Sequence, residues 1–246
     1  MERNKQYEYR YIVFIDILGF KNLVEESSSN EDQLERIHRA LKYISEIKQE
    51  NAEGQLSLRE QGEEITVFSD SIVISMPVLE RNAGWYLLNK VIFIQMNLMS
   101  LGICIRGGMT VGELYHNDNI VFGPAMNEAY GLESNCAIYP RVIVDSKYLT
   151  IAYSNGNNPP EEEQRHFESY MVKQDRDGNY YVDFINQELN VDGIEEYIYL
   201  LEKAKQLIVM NLNRYNNKPQ ILMKYEWLKN YFNQTCESTG YTSYII

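Results

Sequence analysis

The chain has 246 residues, 44% hydrophobic and 24% charged, enough apolar side chain for one large core or a domain with a helical annex. Its net charge of −12, from 35 acidic against 23 basic residues, sets up a field that repels a phosphate backbone and argues against nucleic-acid binding. Cys104, Cys136 and Cys236 have no CxxC spacing, and His38, His116 and His166 have no metal-ligand spacing. With no leader-like run after Met1 and no stretch of about 18 apolar residues, the expectation is a reduced, cytoplasmic protein without disulfide frame, zinc site or membrane span.

Tyr9 to Leu18 (YRYIVFIDIL) is almost continuously apolar and predicts a central strand covered on both faces, ended by Gly19. After SSSNED, where Asn30 or a neighbouring serine can cap, Leu34, Ile37, Leu41, Ile44 and Ile47 predict an amphipathic helix ending near Gly54. Ile65–Phe68 and Ile72–Met76 flank Ser69-Asp70-Ser71 as a hairpin with a polar tip, closed by Pro77. Asn82 to Ser100 is apolar nearly all round, a buried helix, and beyond Gly102 a strand runs from Ile103 to Val111 across Gly107 and Gly108. A strand at Ile120–Phe122 precedes Gly123-Pro124 and a helix from Ala125 to about Ser134. Arg141–Val144 reads as strand and Ser146–Tyr153 as a short helix. Ser154–Glu163 (SNGNNPPEEE) reads as an acidic surface loop. Ser169–Lys173 and Tyr180–Ile185 pair across Asp175-Arg176-Asp177-Gly178. Two helices follow, Ile194 to about Asn216 and Pro219 to about Gln234. The order predicts an α+β, ferredoxin-like (βαββαβ) sandwich over residues 1–190, with a helical extension over 191–246 packed on it.

Asp16 lies in FIDILGF (Phe14–Phe20), near the end of a buried strand. An unpaired charge is costly there, so its carboxylate faces a metal, a base or solvent, or caps the helix that follows; the motif alone leaves these open. The turn Ile17–Phe20 offers backbone N–H groups to phosphate oxygens. Asp70, in FSDSIVIS (Phe68–Ser75), is on its own an ordinary turn residue. Together the two mean more. On neighbouring strands, about 4.8 Å apart, both carboxylates reach one site. Hard cations such as Mg²⁺ or Mn²⁺ take such oxygens and keep positions open for substrate phosphates.

The third segment is IRGGMTVGELYHNDNIVFGPAMNEAYGLES, Ile105 to Ser134. FIDILGF, SDS in a hairpin, RGGMTVGE and the helix start Gly123-x-x-x-Asn127, in this order, resemble the class III nucleotidyl cyclase catalytic domain. The likeness runs from about Tyr9 to about Phe184. The FSDSIVIS, RGG and FGPAMNEAYGLE…YPR wording is most similar to the Pycsar pyrimidine cyclases of bacterial anti-phage defence.

The resemblance implies Asp16 and Asp70 as ligands of two divalent ions (Mg²⁺ or Mn²⁺), Ile17 as a ligand through its carbonyl, Leu18, Gly19 and Phe20 around the phosphates, and Asn127 as the ribose-orienting residue. The family's transition-state arginine falls at Gly131, a departure. Either Arg106 or Arg141 serves the phosphates, with Lys21 and Lys173 less favoured, or the chain senses nucleotide without turnover. The family's base-reading places hold Thr66 and Ile120. An isoleucine offers purines no hydrogen bond, which fits a pyrimidine. UTP is the expected substrate ahead of CTP, with a purine nucleotide as the alternative. The resemblance further implies a two-fold, head-to-tail homodimer, with metal ligands from one subunit and Asn127 from the other.

Structural readings stand beside these. Arg106 pairs with an acidic neighbour as plausibly as with phosphate. Arg141 reads as a bridge to Glu133, Gly107, Gly108 and Gly112 as bulge or close-packing sites, and Tyr130 and Glu133 as interface or structural groups. A polymerase-like or diguanylate-forming relative is disfavoured, because FSDS lacks the second adjacent acid of a GG[DE][DE]F turn.

Overall fold

The first strand is apolar on both sides, and two different layers use it. In the computed structural model, which describes residues 6–53 and 61–246, β1 (Glu8–Ile17) turns Tyr11, Val13, Ile15 and Ile17 into the main core and Ile12 and Phe14 into a smaller one opposite. It pairs antiparallel with β3 (Ser71–Pro77) on one side and β4 (Ile105–Asn117) on the other, and β2 (Glu64–Phe68) pairs with β3. The resulting order is β2-β3-β1-β4. With α2 (Glu31–Glu53) linking β1 to β2 and α3 (Ala83–Ser100) linking β3 to β4, this is the ferredoxin-like α+β arrangement that the element order predicts. Beyond β4 the sheet continues through β6 (Val142–Val144, parallel to β4), β8 (Tyr180–Val182) and β7 (Val172–Gln174), while β5 (Ile120–Phe122) folds back on the end of β4.

Helices α2 and α3 cover one face, contributing Ala40, Ile44, Leu87 and Val91 to the main core. On the other face lies α4 (Pro124–Asn135), whose Ala125 and Ala129 pack with Ile12, Phe14, Val73 and Leu114. Its approach depends on β4 having no side chain at Gly108. A Cβ there would stand 2.4 Å from the Ala129 carbonyl oxygen and 2.5 Å from the Leu132 Cβ. Gly107 is equally tight, 2.5 Å from the Phe14 carbonyl oxygen, so both are close-packing glycines.

Asn30 caps α2, its Oδ1 accepting the Gln33 N–H at 3.1 Å, as expected; Gly54, the expected helix end, lies outside the described residues. Several elements differ from expectation. Phe20–Ser27 forms a helix, α1, none of whose residues is buried, so no apolar stripe announced it. The acidic stretch expected as loop begins α6 (Pro160–Tyr170). Pro160 sits in the first turn with Glu161, Glu162 and Glu163 at the positive end of the helix dipole, so Ser169 and Tyr170 end a helix instead of starting a strand. α5 (Ser146–Ser154) falls where predicted.

The last two helices, α7 (Ile194–Arg214) and α8 (Pro219–Thr239), place Leu201, Ala204, Ile208, Leu228 and Phe232 in the same core cluster as the sheet. α8 outruns its expected end because Thr235 and Cys236 are buried, and it stops at Gly240 (φ +84°). Among the described residues no helix is long and apolar enough to cross a membrane.

Candidate active site

Asp16 is the second-last residue of β1, and its Cα partners are Ser71 on β3 and Arg106 on β4. Asp70 sits one residue before Ser71, at a hairpin tip whose Ser69 takes a left-handed conformation (φ +53°). The Asp70 carbonyl accepts the Ile17 N–H at 3.3 Å, and Ser71 Oγ donates to Asp16 Oδ1 at 3.4 Å. Burial, then the charge of Asp70, then that of Glu133 push the Asp16 carboxyl up to about 6, while Arg106 pulls it down. The structure thus brings Asp16, Asp70 and the end of β1 at Ile17 together and adds Glu133 of α4.

Arg106 connects these acids. Its Nε lies 2.7 Å from Glu133 Oε1 and its Nη2 3.5 Å from Asp16 Oδ2, with the Glu133 side chain only 3% exposed. The bridge to Glu133 therefore belongs to Arg106, not to Arg141 as the sequence suggested.

Among the described residues no group of three or more His, Cys, Asp or Glu forms a metal cage. Two carboxylates with a neighbouring backbone carbonyl still fit a hard divalent ion whose other positions go to water and phosphate. The raised Asp16 carboxyl supports that fit, since like charges held together gain from a cation between them.

In the turn after β1, two amides are already committed: Ile17 N–H to Asp70, and Leu18 N–H to the Cys104 carbonyl at 2.9 Å. Gly19 (φ +75°) caps α1, so the amides of this turn that lack an intrahelical acceptor are the first ones of α1, at Phe20 and Lys21. The Lys21 amine is 3.9 Å from Glu25 and almost fully exposed.

The remaining predicted residues lie elsewhere. Arg141, expected near substrate, is fully buried on the far side of β6. It forms ion pairs with Asp175 and Asp177 of the β7–β8 turn and lies 5.3 and 5.6 Å from the rings of Tyr139 and Trp227. This corrects the expectation: an acidic turn 34 residues away takes up the guanidinium. Lys173 is likewise occupied, 3.3 Å from Asp183. Ile120 is exposed on β5. Asn127 is exposed on the outer side of α4, roughly 9 Å along the axis and about 120° around it from Glu133. Gly131 faces open space, its nearest neighbour being Asn135 Nδ2 at 3.9 Å.

Thr66 is 1% exposed and belongs to a buried chain of hydrogen bonds. Arg10 Nε donates to Ser75 Oγ (2.9 Å), Ser75 Oγ meets His116 Nδ1 (2.8 Å), His116 Nε2 meets Thr66 Oγ1 (2.9 Å), and Thr66 donates to the Asp118 carbonyl (2.7 Å). Arginine can only donate and a carbonyl only accept, so His116 carries its proton on Nε2. Burial, then the charges of Arg10 and Lys48, hold His116 down to about 3, so the ring is neutral. Thr66 has no donor left for a base. Thr66→Val should therefore cost about 1–2 kcal/mol by stranding the His116 N–H, read in urea unfolding, with nucleotide preference unchanged. A changed preference would return Thr66 to the base site.

Sequence reasoning treated Glu133 as merely structural and His116 only as a non-ligand. The helical spacing of Ala125, Ala129 and Glu133 marks one face of α4 and was the available signal for Glu133.

No family model and no curated protein matches the chain. Solved structures with a similar chain path include the monomeric guanylyl cyclase domain of the RhoGC fusion protein from the aquatic fungus Blastocladiella emersonii (17% identity over 72% of this chain and 96% of that one, TM-score 0.49). Others are the catalytic core of a rhodopsin-guanylyl cyclase with converted specificity in complex with ATPalphaS (14%, 72% and 96%, 0.46) and the adenylate/guanylate cyclase/hydrolase from Silicibacter pomeroyi (15%, 72% and 95%, 0.42).

Proposed function

We propose that this protein is a class III nucleotidyl cyclase that converts a pyrimidine nucleoside triphosphate, UTP ahead of CTP, into its 3′,5′-cyclic monophosphate and pyrophosphate. The observation that carries the reading is the Asp16–Asp70 pair, a carboxylate near the end of β1 and one at the tip of the adjacent β2–β3 hairpin, close enough to raise the Asp16 carboxyl. Asp16, Asp70 and the Ile17 carbonyl would hold divalent metal, Mg²⁺ or Mn²⁺, which when bound supplies Lewis-acid activation of the ribose 3′-hydroxyl and neutralises phosphate charge. The chain's part is to position and to balance charge. The first turn of α1 faces the phosphates, Glu133 fixes Arg106 beside Asp16, and Asn127 orients the ribose.

Asn127 is exposed, on the same side of α4 as Tyr130 and about 120° around the helix from Glu133. This supports a two-fold homodimer in which each Asn127 serves the partner's aspartates. The Pycsar likeness of the motifs supports a role in cytoplasmic anti-phage signalling. A second reading, a nucleotide-binding module without turnover, is favoured by the absence of a side chain at Gly131.

Incubating the protein with each of the four NTPs and Mn²⁺, with products read by mass spectrometry, separates the two. Cyclic UMP with pyrophosphate is expected, and no cyclic product from any NTP would leave the binding module.

A further inference from the structure

We propose that Arg214, the last residue of α7, is a positioning residue for the candidate site: through Glu26 it fixes α1, the helix that follows Asp16, and with it the side of the site that meets substrate phosphate. This deepens the cyclase reading and rests on it.

The need for a tether is visible in α1 itself. The helix is eight residues long, shorter than a helix that holds its shape alone, and none of its residues is buried. Phe20, Leu23, Glu26 and Ser27 are half-buried on one side, while Lys21, Asn22, Val24 and Glu25 are exposed. Phe20 and Leu23 pack against the main core. The next place on that side, where a third apolar residue would continue the stripe, holds Glu26.

The C-terminal helices meet that acid. Glu26 Oε2, shut off from water, lies 2.7 Å from Arg214 Nη2. Among the described residues this is the one ion pair that joins α1 to another element, since Lys21 pairs with Glu25 inside the helix. The arginine is itself held. Leu207, Ile208 and Asn211 bury the preceding turns of α7, and the guanidinium lies 5.4 Å from the ring of Tyr215, which is buried and stacks on Tyr225 of α8 (6.0 Å, 8°). Without the guanidinium, a shielded carboxylate oxygen loses its cation and is better solvated if α1 swings outward. At its other end α1 joins β1 through a short turn, where Leu18 N–H donates to the Cys104 carbonyl at 2.9 Å and Gly19 caps the helix. A tilt of α1 about this turn moves the Phe20 and Lys21 amides. Asp16 stays in place, because β1 is paired there with β3 and β4. The loss of Arg214 should therefore weaken the hold on phosphate and spare the hold on metal.

The test is a double-mutant cycle of Arg214→Met and Glu26→Gln, read by calorimetric titration with Mn²⁺ alone and with pyrophosphate in the presence of Mn²⁺. Each single variant should bind Mn²⁺ as wild type does and pyrophosphate about tenfold more weakly. The double variant should lose no more than either single one, and the exchanged pair, Arg214→Glu with Glu26→Arg, should recover most of the affinity. Unchanged pyrophosphate binding in Arg214→Met would overturn the proposal, as would losses that multiply in the double variant, an equal loss of Mn²⁺ binding, or a wild type that binds no pyrophosphate. If Arg214→Met does not fold, Glu26→Gln decides alone, and full pyrophosphate affinity there overturns the proposal. Titration needs no turnover. If wild type binds pyrophosphate and forms no cyclic nucleotide, the cyclase reading fails, while the cycle still decides the role of Arg214.

Discussion

Asp70→Asn is expected to abolish cyclic nucleotide formation, a loss of about a thousandfold or more, without lowering the melting temperature. A divalent ion at developing charge is worth several kcal/mol of barrier, and each 1.36 kcal/mol is about tenfold in rate. Stability moves the other way, because removing one of two facing negative charges relieves Asp16. The pH dependence isolates this. The folded-state carboxyl of Asp16 sits near 6, above its ordinary value of 3.8, so the folded protein binds that proton more tightly than the unfolded chain. Its contribution to stability is fully present below about pH 4 and is lost as pH rises through 6, a swing of about 3 kcal/mol at most. His116, held down to about 3, acts oppositely over the same window: its neutral form is favoured in the fold, so acid below the usual histidine range is destabilising. Comparing wild type with Asp16→Asn separates the two, since His116 is common to both. Metal-free urea unfolding at pH 7 and pH 4.5 should show wild type gaining relative to Asp16→Asn at the lower pH. Full activity in purified Asp70→Asn would sink the metal pair.

Gly108→Val should cost about 3 kcal/mol or more, because the atom in the way is a backbone carbonyl that cannot rotate aside. Relief requires α4 to lift from the sheet, and α4 carries Glu133 and Asn127 with it, so activity should fall even where the variant folds. Gly112→Ala is the contrast. A Cβ there would meet Ala125 Cβ at 3.4 Å, ordinary contact, and should change stability by less than about 1 kcal/mol. The two denaturant midpoints check both statements, and a Gly108→Val protein as stable as wild type would refute the packing argument.

Much of the frame was legible in the sequence. Continuous apolar runs in β1 and α3 and the polar tip of the β2–β3 hairpin follow from short-range pattern, and they put Asp16 and Asp70 at strand ends. Their adjacency followed from topology, since a βαββαβ chain sets β1 beside β3. The rest depended on contacts between distant segments. Arg141 found Asp175 and Asp177, not Glu133, because β6 and β8 are neighbours in the sheet, which no local spacing reveals. Glu133 reached Arg106 because Gly108 lets α4 settle on the second face. Helix α1 buries nothing, and α6 starts at a proline pair that reads equally well as loop.

The buried chain from Arg10 to Asp118 has a consequence for proton movement. A proton wire must be able to reverse every hydrogen bond along its length. Here one end is an arginine that cannot accept and the other a carbonyl that cannot donate, so the sequence of donors runs one way only. The chain conducts nothing and acts as a strut, fastening the β4–β5 hairpin to the sheet at any pH well above the His116 value of about 3. The hairpin that carries Ile120 and Phe122 therefore keeps its position through mild acid, where the Asp16 carboxyl already takes up its proton.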